Sequence, residues 1–225
     1  MLIIIGSTGG LGRRLLKLCE QQAHESSWLF GRVLGATRAD VDLTNEESIA
    51  RFAAHVAETV PAGEPIKIIN AAGISINALA HKMTLDDFQK SLQVNLIGNF
   101  LVIKHFQSLF KARPKSSVVI LSSVVSETGV PGTIAYASSK SGLRGLCRVS
   151  SRELARFSTT VNLIELGYFE AGMIEQVPPD FQDSIKKEIP LGRFGTAEEL
   201  MEACRFLLGC GYVTGAAIKV NGGLI

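Results

Sequence analysis

Leu2-Ile-Ile-Ile5, running directly into Gly6-Ser-Thr-Gly-Gly10-Leu-Gly12, is the stretch that sets the fold. An apolar run this short is no membrane span and no signal segment; ending in glycines, it reads as a buried parallel strand. From Leu11 to Ala23, Leu11, Leu15, Leu16 and Leu18 recur at helical spacing. A strand, a glycine turn and a helix in that order form a cradle for a dinucleotide. Gly6 permits the tight turn, Gly10 lets a pyrophosphate approach, and Gly12 allows close helix packing. The N–H groups opening the helix then face the phosphates.

The remainder alternates in the same way. The segment from His24 to Gly31, with Trp28, is a connection. Strands are expected at Arg32 to Thr37, Asp40 to Leu43, Ile66 to Asn70, Ser117 to Leu121, Thr160 to Glu165 and Ala217 to Val220. Helices are expected from Asn45 to Thr59, from Leu85, from Ser91 to Lys111, from Ile134 to Phe157 and from Thr196 to Leu208. Thr44 with Glu47, and Thr196 with Glu199, have capping-box spacing, and Thr84 has the position of a cap. Gly167 to Phe194, with Pro178, Pro179 and Pro190, reads as irregular. The expected architecture is one α/β domain over 1–225. It is a Rossmann-like, doubly wound parallel sheet of about seven strands with helices on both faces. Ligands of such sheets bind past the carboxyl ends of the strands. The glycines, Asn70, Ser123 and Gly167 all fall there.

Composition narrows the partners. The 225 residues carry a formal charge of +2, with Lys and Arg dispersed, so no nucleic-acid footprint is expected. Cys19, Cys147, Cys204 and Cys210 form no Cys-x-x-Cys pair, and the histidines form no metal motif. Reduced thiols, no metal, no membrane and a cytoplasmic location are the expectations.

Tyr136-Ala-Ser-Ser-Lys140 carries the chemistry, with Ser123 thirteen positions before the tyrosine. Residues four apart share a helix face, so Lys140 sits beneath Tyr136. Its charge is expected to draw the phenol below its ordinary pKa of about 10. A phenol so placed exchanges a proton with a carbonyl or alcohol oxygen held by Ser123.

The glycine motif, Asn70-Ala-Ala-Gly73, Asn95, Ser123, Tyr136-x-x-x-Lys140 and Val220-Asn-Gly-Gly223 together resemble the short-chain dehydrogenase/reductase family over essentially the whole chain. Gly73-Ile-Ser-Ile-Asn-Ala-Leu, Ser122-Ser-Val-Val-Ser and Gly192-Arg-Phe-Gly195 are most similar to its 3-oxoacyl-acyl-carrier-protein reductases. The resemblance implies reduction of a 3-oxoacyl thioester to the 3-hydroxy form by a homo-oligomer, dimer or tetramer. It implies that Ser123 holds the substrate carbonyl, Tyr136 is the acid and Lys140 also binds the nicotinamide ribose. Asn95 would hold a water, or satisfy a kink, and the two roles coexist. Cofactor contacts would come from Gly6, Ser7, Thr8, Gly10, Leu11 and Gly12, and from Thr37, Arg38, Asp42 and Leu43. Asn70, Ala71, Ala72, Gly73, Gly167 and Phe169 would complete them.

Arg38 suits the 2′-phosphate of NADP(H), which is favoured, while nearby Asp40 keeps NAD(H) open. The chain departs from the family pattern at Ile5, at Leu166-Gly167 and at Ala171, where a threonine is usual. The helix usual after Arg38 is missing. Residues 168–194, with Tyr168, Phe169, Met173, Ile174 and Val177, are expected to form a substrate lid. Arg113, Lys115, Arg148, Arg152 and Arg156 make either a docking patch for an acidic acyl-carrier protein or a solvated helix face. Coenzyme A thioesters, another ketone or alcohol, and a non-catalytic nucleotide-binding subunit are the alternatives.

Overall fold

In the computed structural model, which describes residues 1–22 and 31–225, Leu2–Ile5 forms β1 and Gly10–Gln22 forms α1. The expected end of the first helix at Ala23, and the connection from His24 with Trp28, fall on 23–30, outside the described residues. The chain continues through β2 (Val33–Ala36), α2 (Glu46–Thr59), β3 (Lys67–Asn70) and α3 (Leu85–Leu92). Next come α4 (Gly98–Ala112), β4 (Ser117–Ser123), α5 (Val125–Thr128) and α6 (Ile134–Ala155). It closes with β5 (Thr160–Leu166), α7 (Pro179–Glu188), α8 (Ala197–Gly209) and β6 (Ala217–Val220).

Among the described residues there are six strands, all parallel, in the order β2-β1-β3-β4-β5-β6. Chain order reverses at β1, and the crevice beside it is where such sheets take ligands. Successive side chains of β1 point to opposite faces. Ile3 and Ile5 join Phe52, Phe106, Phe110 and Ile120 beneath α2, α4 and α6. Leu2 and Ile4 join Leu15, Val119, Leu200 and Leu207 beneath α1 and α8. Both faces being covered explains why the run has no polar alternation.

The sheet has six strands rather than about seven, because Asp40 to Leu43 is not one. Asp42 there accepts from the amide and hydroxyl of Thr44, and Asp40 from those of Thr37, so local turns replace ladder pairing. These turns also shift a cap: Asn45, not Thr44, accepts from Ser48 at the start of α2. Thr84 caps α3, and Thr196 with Glu199 forms the full capping box of α8. Residues 167–194 are more regular than expected, holding a 3-10 turn at Met173–Gln176 and then α7, with Pro179 in its first turn. Cys19, Cys147 and Cys204 are buried free thiols, and burial lifts Cys147 to about 11. No helix among the described residues is long and apolar enough to cross a membrane.

Candidate active site

β4 outruns its neighbour β3. Asn70 ends β3 opposite Ile120, so Ser123 stands three residues further, about 10 Å along the strand. It lies opposite Leu166, whose carbonyl accepts from Val124. Helix α6 begins at Ile134, which puts Tyr136 in its first turn and Lys140 one turn deeper on the same face. Asn95 arrives differently. The expected continuous helix from Ser91 is interrupted by a π-helical segment, Gln93–Ile97, with Asn95 at its centre. Such widened turns concentrate at functional sites.

Hydrogen bonds to the surrounding frame hold Asn95 and Lys140 in place. Ser123 lies beside the Tyr136 phenol, close enough to act on its pKa. Lys140 Nζ donates to Leu121 O at 2.8 Å and lies 5.7 Å from the Tyr136 ring centre. Asn95 Oδ1 accepts from Ile74 N at 2.9 Å, and its Nδ2 donates to Ile74 O and to Ser139 Oγ. Ser139 in turn donates to Tyr136 O at 2.7 Å. Asn95 thus fixes the backbone beside Gly73 to the helix carrying Tyr136. A Cβ added at Gly73 would lie 3.3 Å from both Asn95 Oδ1 and Lys140 Nζ.

The electrostatics differ from the sequence expectation. Burial raises the Tyr136 pKa above its ordinary value, and Ser123 only partly opposes this. Lys140 does not bring the phenol down; burial depresses Lys140 itself to about 8. At neutral pH the proton therefore rests on the phenol.

The glycine loop closes against this group. Gly12 is obligatory, since a Cβ there would lie 2.2 Å from Gly6 O. Gly6 packs on Ala72, and Gly12 also faces Ala71. Asn70 Oδ1 accepts from Ala72 N, fixing the turn that leads to Gly73. Ser7 is buried and Thr8 exposed. The first turn of α1, from Gly10 and Leu11, carries no acid, so its N–H groups keep their positive end uncompensated. The space over Gly10, expected to receive a pyrophosphate, adjoins protein on one side: a Cβ at Gly10 would lie 2.3 Å from Gly172 Cα. Arg14 pairs across the same junction with Glu170 and Glu175.

At the far end, Gly6 and Ser7 donate to Ala36 O, placing Thr37 and Arg38 beside the loop. Arg38 is 80% exposed and pairs with Asp42 at 3.2 Å. Leu43 is core, packed against Gly98. Phe169 and Ile174, expected in a mobile apolar surface, are also core, whereas Met173 is exposed. Gly167 packs on Asn221.

The structure breaks up the arginine patch. Arg113 is buried and donates to the carbonyls of Ala57 and Val60 at the end of α2. Arg148 to Arg156 run down α6, from about 18 to 30 Å beyond Tyr136 along the helix axis. Sequence reasoning also missed two members of the site's frame. One is Ser139. The other is Asn99, which accepts from Asn70 Nδ2 and donates to Asn95 O. Asn99 sits one helical turn after Asn95, the only signal that a sequence offers for it.

A nucleotide cradle and a Ser-Tyr-Lys-Asn group at one end of a parallel sheet define an oxidoreductase of the dinucleotide-binding class. Residues 19–225 match the family model described as enoyl-(acyl carrier protein) reductase. The chain is 34% identical to a 3-oxoacyl-[acyl-carrier-protein] reductase FabG of Aquifex aeolicus, over 96% of this chain and 85% of that one. It is 30% identical to an acetoacetyl-CoA reductase of Synechocystis, over 99% and 95%. Among solved structures, a gluconate 5-dehydrogenase of Burkholderia cenocepacia in complex with NADP and tartrate superposes with a TM-score of 0.85 at 25% identity, over 99% and 94%. The chain belongs to the short-chain dehydrogenase/reductase family.

Proposed function

We propose that this protein reduces a 3-oxoacyl thioester to its 3-hydroxyacyl form with NADPH, with Tyr136 as the proton donor. The observation that carries the reading is the buried cluster of Ser123, Tyr136, Lys140 and Asn95, with Lys140 Nζ 5.7 Å from the Tyr136 ring centre and Asn95 linked through Ser139 to the Tyr136 carbonyl. The names of the Aquifex and Synechocystis relatives support the thioester class.

The cradle fits a dinucleotide: a helix start without acids, a glycine loop with no room for a Cβ at Gly12, and an exposed guanidinium at Arg38. The residues that would hold it are Gly6, Ser7, Thr8, Gly10, Leu11 and Gly12 at the phosphates, and Asn70 to Gly73 along its length. Thr37, Arg38, Asp42 and Leu43 would sit at the adenosine, with Gly167, Phe169, Tyr136 and Lys140 at the nicotinamide end. When bound, it supplies hydride to the substrate carbonyl carbon.

The chain's own residues do the rest. Ser123 donates to the carbonyl oxygen and polarises it. Tyr136 delivers its proton to that oxygen as charge develops there. Lys140, titrating near 8, returns a proton toward the phenol, and Asn95 holds the path on the Gly73 side. A raised phenol pKa keeps the acid protonated, the form needed for proton delivery. Residues 168–194 act as the lid, hinged where Glu170 N and Gly195 N bond across to Gly195 O and Tyr168 O. Exposed Ile97 and Phe100 near the start of α4, with Ile134 and Val149 on α6, supply an apolar surface for a homo-oligomer.

The test is loss of NADPH absorbance with a 3-oxoacyl thioester, run beside NADH and beside Tyr136→Phe. Fast NADPH oxidation that vanishes in the variant is expected. Absence of turnover with thioesters, against turnover of a sugar acid or polyol, would replace this reading. The likeness to the gluconate dehydrogenase favours that second one.

A further inference from the structure

One cluster of charges is unused by the chemistry above. Glu165, near the end of β5, is fully buried and lies in register with Ser122 on one side and Lys219 on the other. Arg144, one turn beyond Lys140 on α6, grips it with two bonds, Nε to Oε1 at 2.6 Å and Nη2 to Oε2 at 2.7 Å. The same guanidinium reaches Glu127, and Lys219 Nζ donates to the second Glu127 oxygen at 2.7 Å. Two acids and two bases therefore join α5, α6, β5 and β6.

The position of Glu127 gives the cluster a consequence. It sits in α5, the four-residue helix that follows Ser123. A helix that short has no stability of its own, so its anchors set its geometry. Within this turn Val125 N donates to Ser123 Oγ at 3.3 Å, and Ser126 Oγ donates to Ser123 O at 2.8 Å. Ser141 on α6 donates to Ser126 O. With a lone pair of Ser123 Oγ engaged by Val125, the position of that amide constrains how the hydroxyl can turn. A buried carboxylate–guanidinium pair adds little net stability compared with apolar residues of the same volume. Its position beside the active helix suits it to another role.

We propose that Glu127 is a positioning residue for Ser123: clamped by Arg144 and Lys219, it holds α5 so that the Val125 amide orients the serine hydroxyl. This rests on the reductase reading for its effect on rate, but not for its effect on the turn.

Glu127→Ala tests it by kinetics, melting and hydrogen exchange. The expected result is a kcat about tenfold lower, with the KM for NADPH unchanged, because a small misplacement of a reacting group falls on rate. Exchange should quicken in 123–129 and nowhere else. The double variant Arg144→Met with Glu165→Leu removes the buried pair without stranding a charge. It should show the same loss of kcat while keeping its fold. Wild-type kcat with wild-type exchange in 123–129, in either variant, overturns the clamp. So does a kcat that recovers fully on cooling in step with a lowered Tm, since that marks a role in stability only. If the wild type turns over no thioester, the reductase reading fails, and exchange in 123–129 still decides the clamp.

Discussion

The two ends of the cradle are built on opposite principles. Around Tyr136 and Lys140 the polar groups of the site are buried, and several are tied to distant elements: Asn95 to Ile74 and Ser139, Lys140 to β4, Asn99 to Asn70. Around Thr37 to Asp42 the polar groups are exposed and tied only to residues a few positions away. The first arrangement is costly to form and hard to vary, because removing one buried partner strands another. The second is loosely held and adjustable by single substitutions. Within one fold, the end around Tyr136 is the rigid part and the Thr37–Asp42 end the tunable one.

Tyr136→Phe should break the first end most sharply. Loss of the only placed acid is expected to lower kcat by about 10²- to 10⁴-fold with little change in Tm, measured by NADPH oxidation. Residual rates above that range would mean that another group, such as a water on Ser123, supplies the proton.

Lys140→Met sharpens the comparison by separating function from stability. Burial lowers Lys140 from its ordinary 10.5 to about 8. Between those values the unfolded chain binds more protons than the folded one, so folded stability rises with pH across that window. Below pH 8 the full penalty is present, on the order of 3 kcal/mol at 1.36 kcal/mol per unit. The methionine variant is expected to be inactive yet more stable at pH 7, with a flatter stability curve from pH 8 to 10.5. Chemical denaturation at several pH values checks this. In the wild type, reduction should slow as pH rises through 8, where Lys140 loses the proton that it relays.

At the adjustable end, Arg38→Leu should raise the KM for NADPH by about 10- to 100-fold, the loss of a charge-assisted contact worth about 1.5–3 kcal/mol. The KM for NADH should stay nearly constant, as should kcat and Tm. Equal losses with both cofactors would show that Arg38 shapes the turn through Asp42 rather than reading a phosphate.

The sequence was readable where one local pattern implied one structure. Leu2 to Gly12 could hardly form anything but a strand, turn and helix, and Thr196 with Glu199 specified its cap. Three residues of the candidate site could be placed together from spacing, since Tyr136 and Lys140 share a helix face and Ser123 ends a strand, whereas Asn95 came only from the family resemblance. What spacing could not show was competition between local and distant bonds. Asp40 to Leu43 has apolar residues at strand positions, but its two carboxylates satisfy nearby amides first. Arg113 looked like surface because nothing nearby in sequence revealed the carbonyls of Ala57 and Val60. The protonation of Tyr136 was misjudged for a related reason: the lysine's proximity was visible, whereas the depth of burial that outweighs it was not.

Asp40→Asn probes the smallest effect and the one most specific to this chain. Asp40 Oδ2 accepts from both the amide and the hydroxyl of Thr37, at 2.8 and 2.7 Å, and these bonds hold its carboxyl below the ordinary range. It is therefore fully ionised at neutral pH, on the same donors that a 2′-phosphate would use beside Arg38. An asparagine keeps the acceptor and the turn but removes the charge. The KM for NADPH should fall about two- to threefold, consistent with an exposed charge pair of a few tenths of a kcal/mol, while that for NADH holds steady. The gain should shrink in high salt, where the repulsion is already screened. A rise in the NADPH KM would mean instead that the Asp40 carboxylate orders Thr37 for the phosphate, and this end would then be as preorganised as the one around Tyr136.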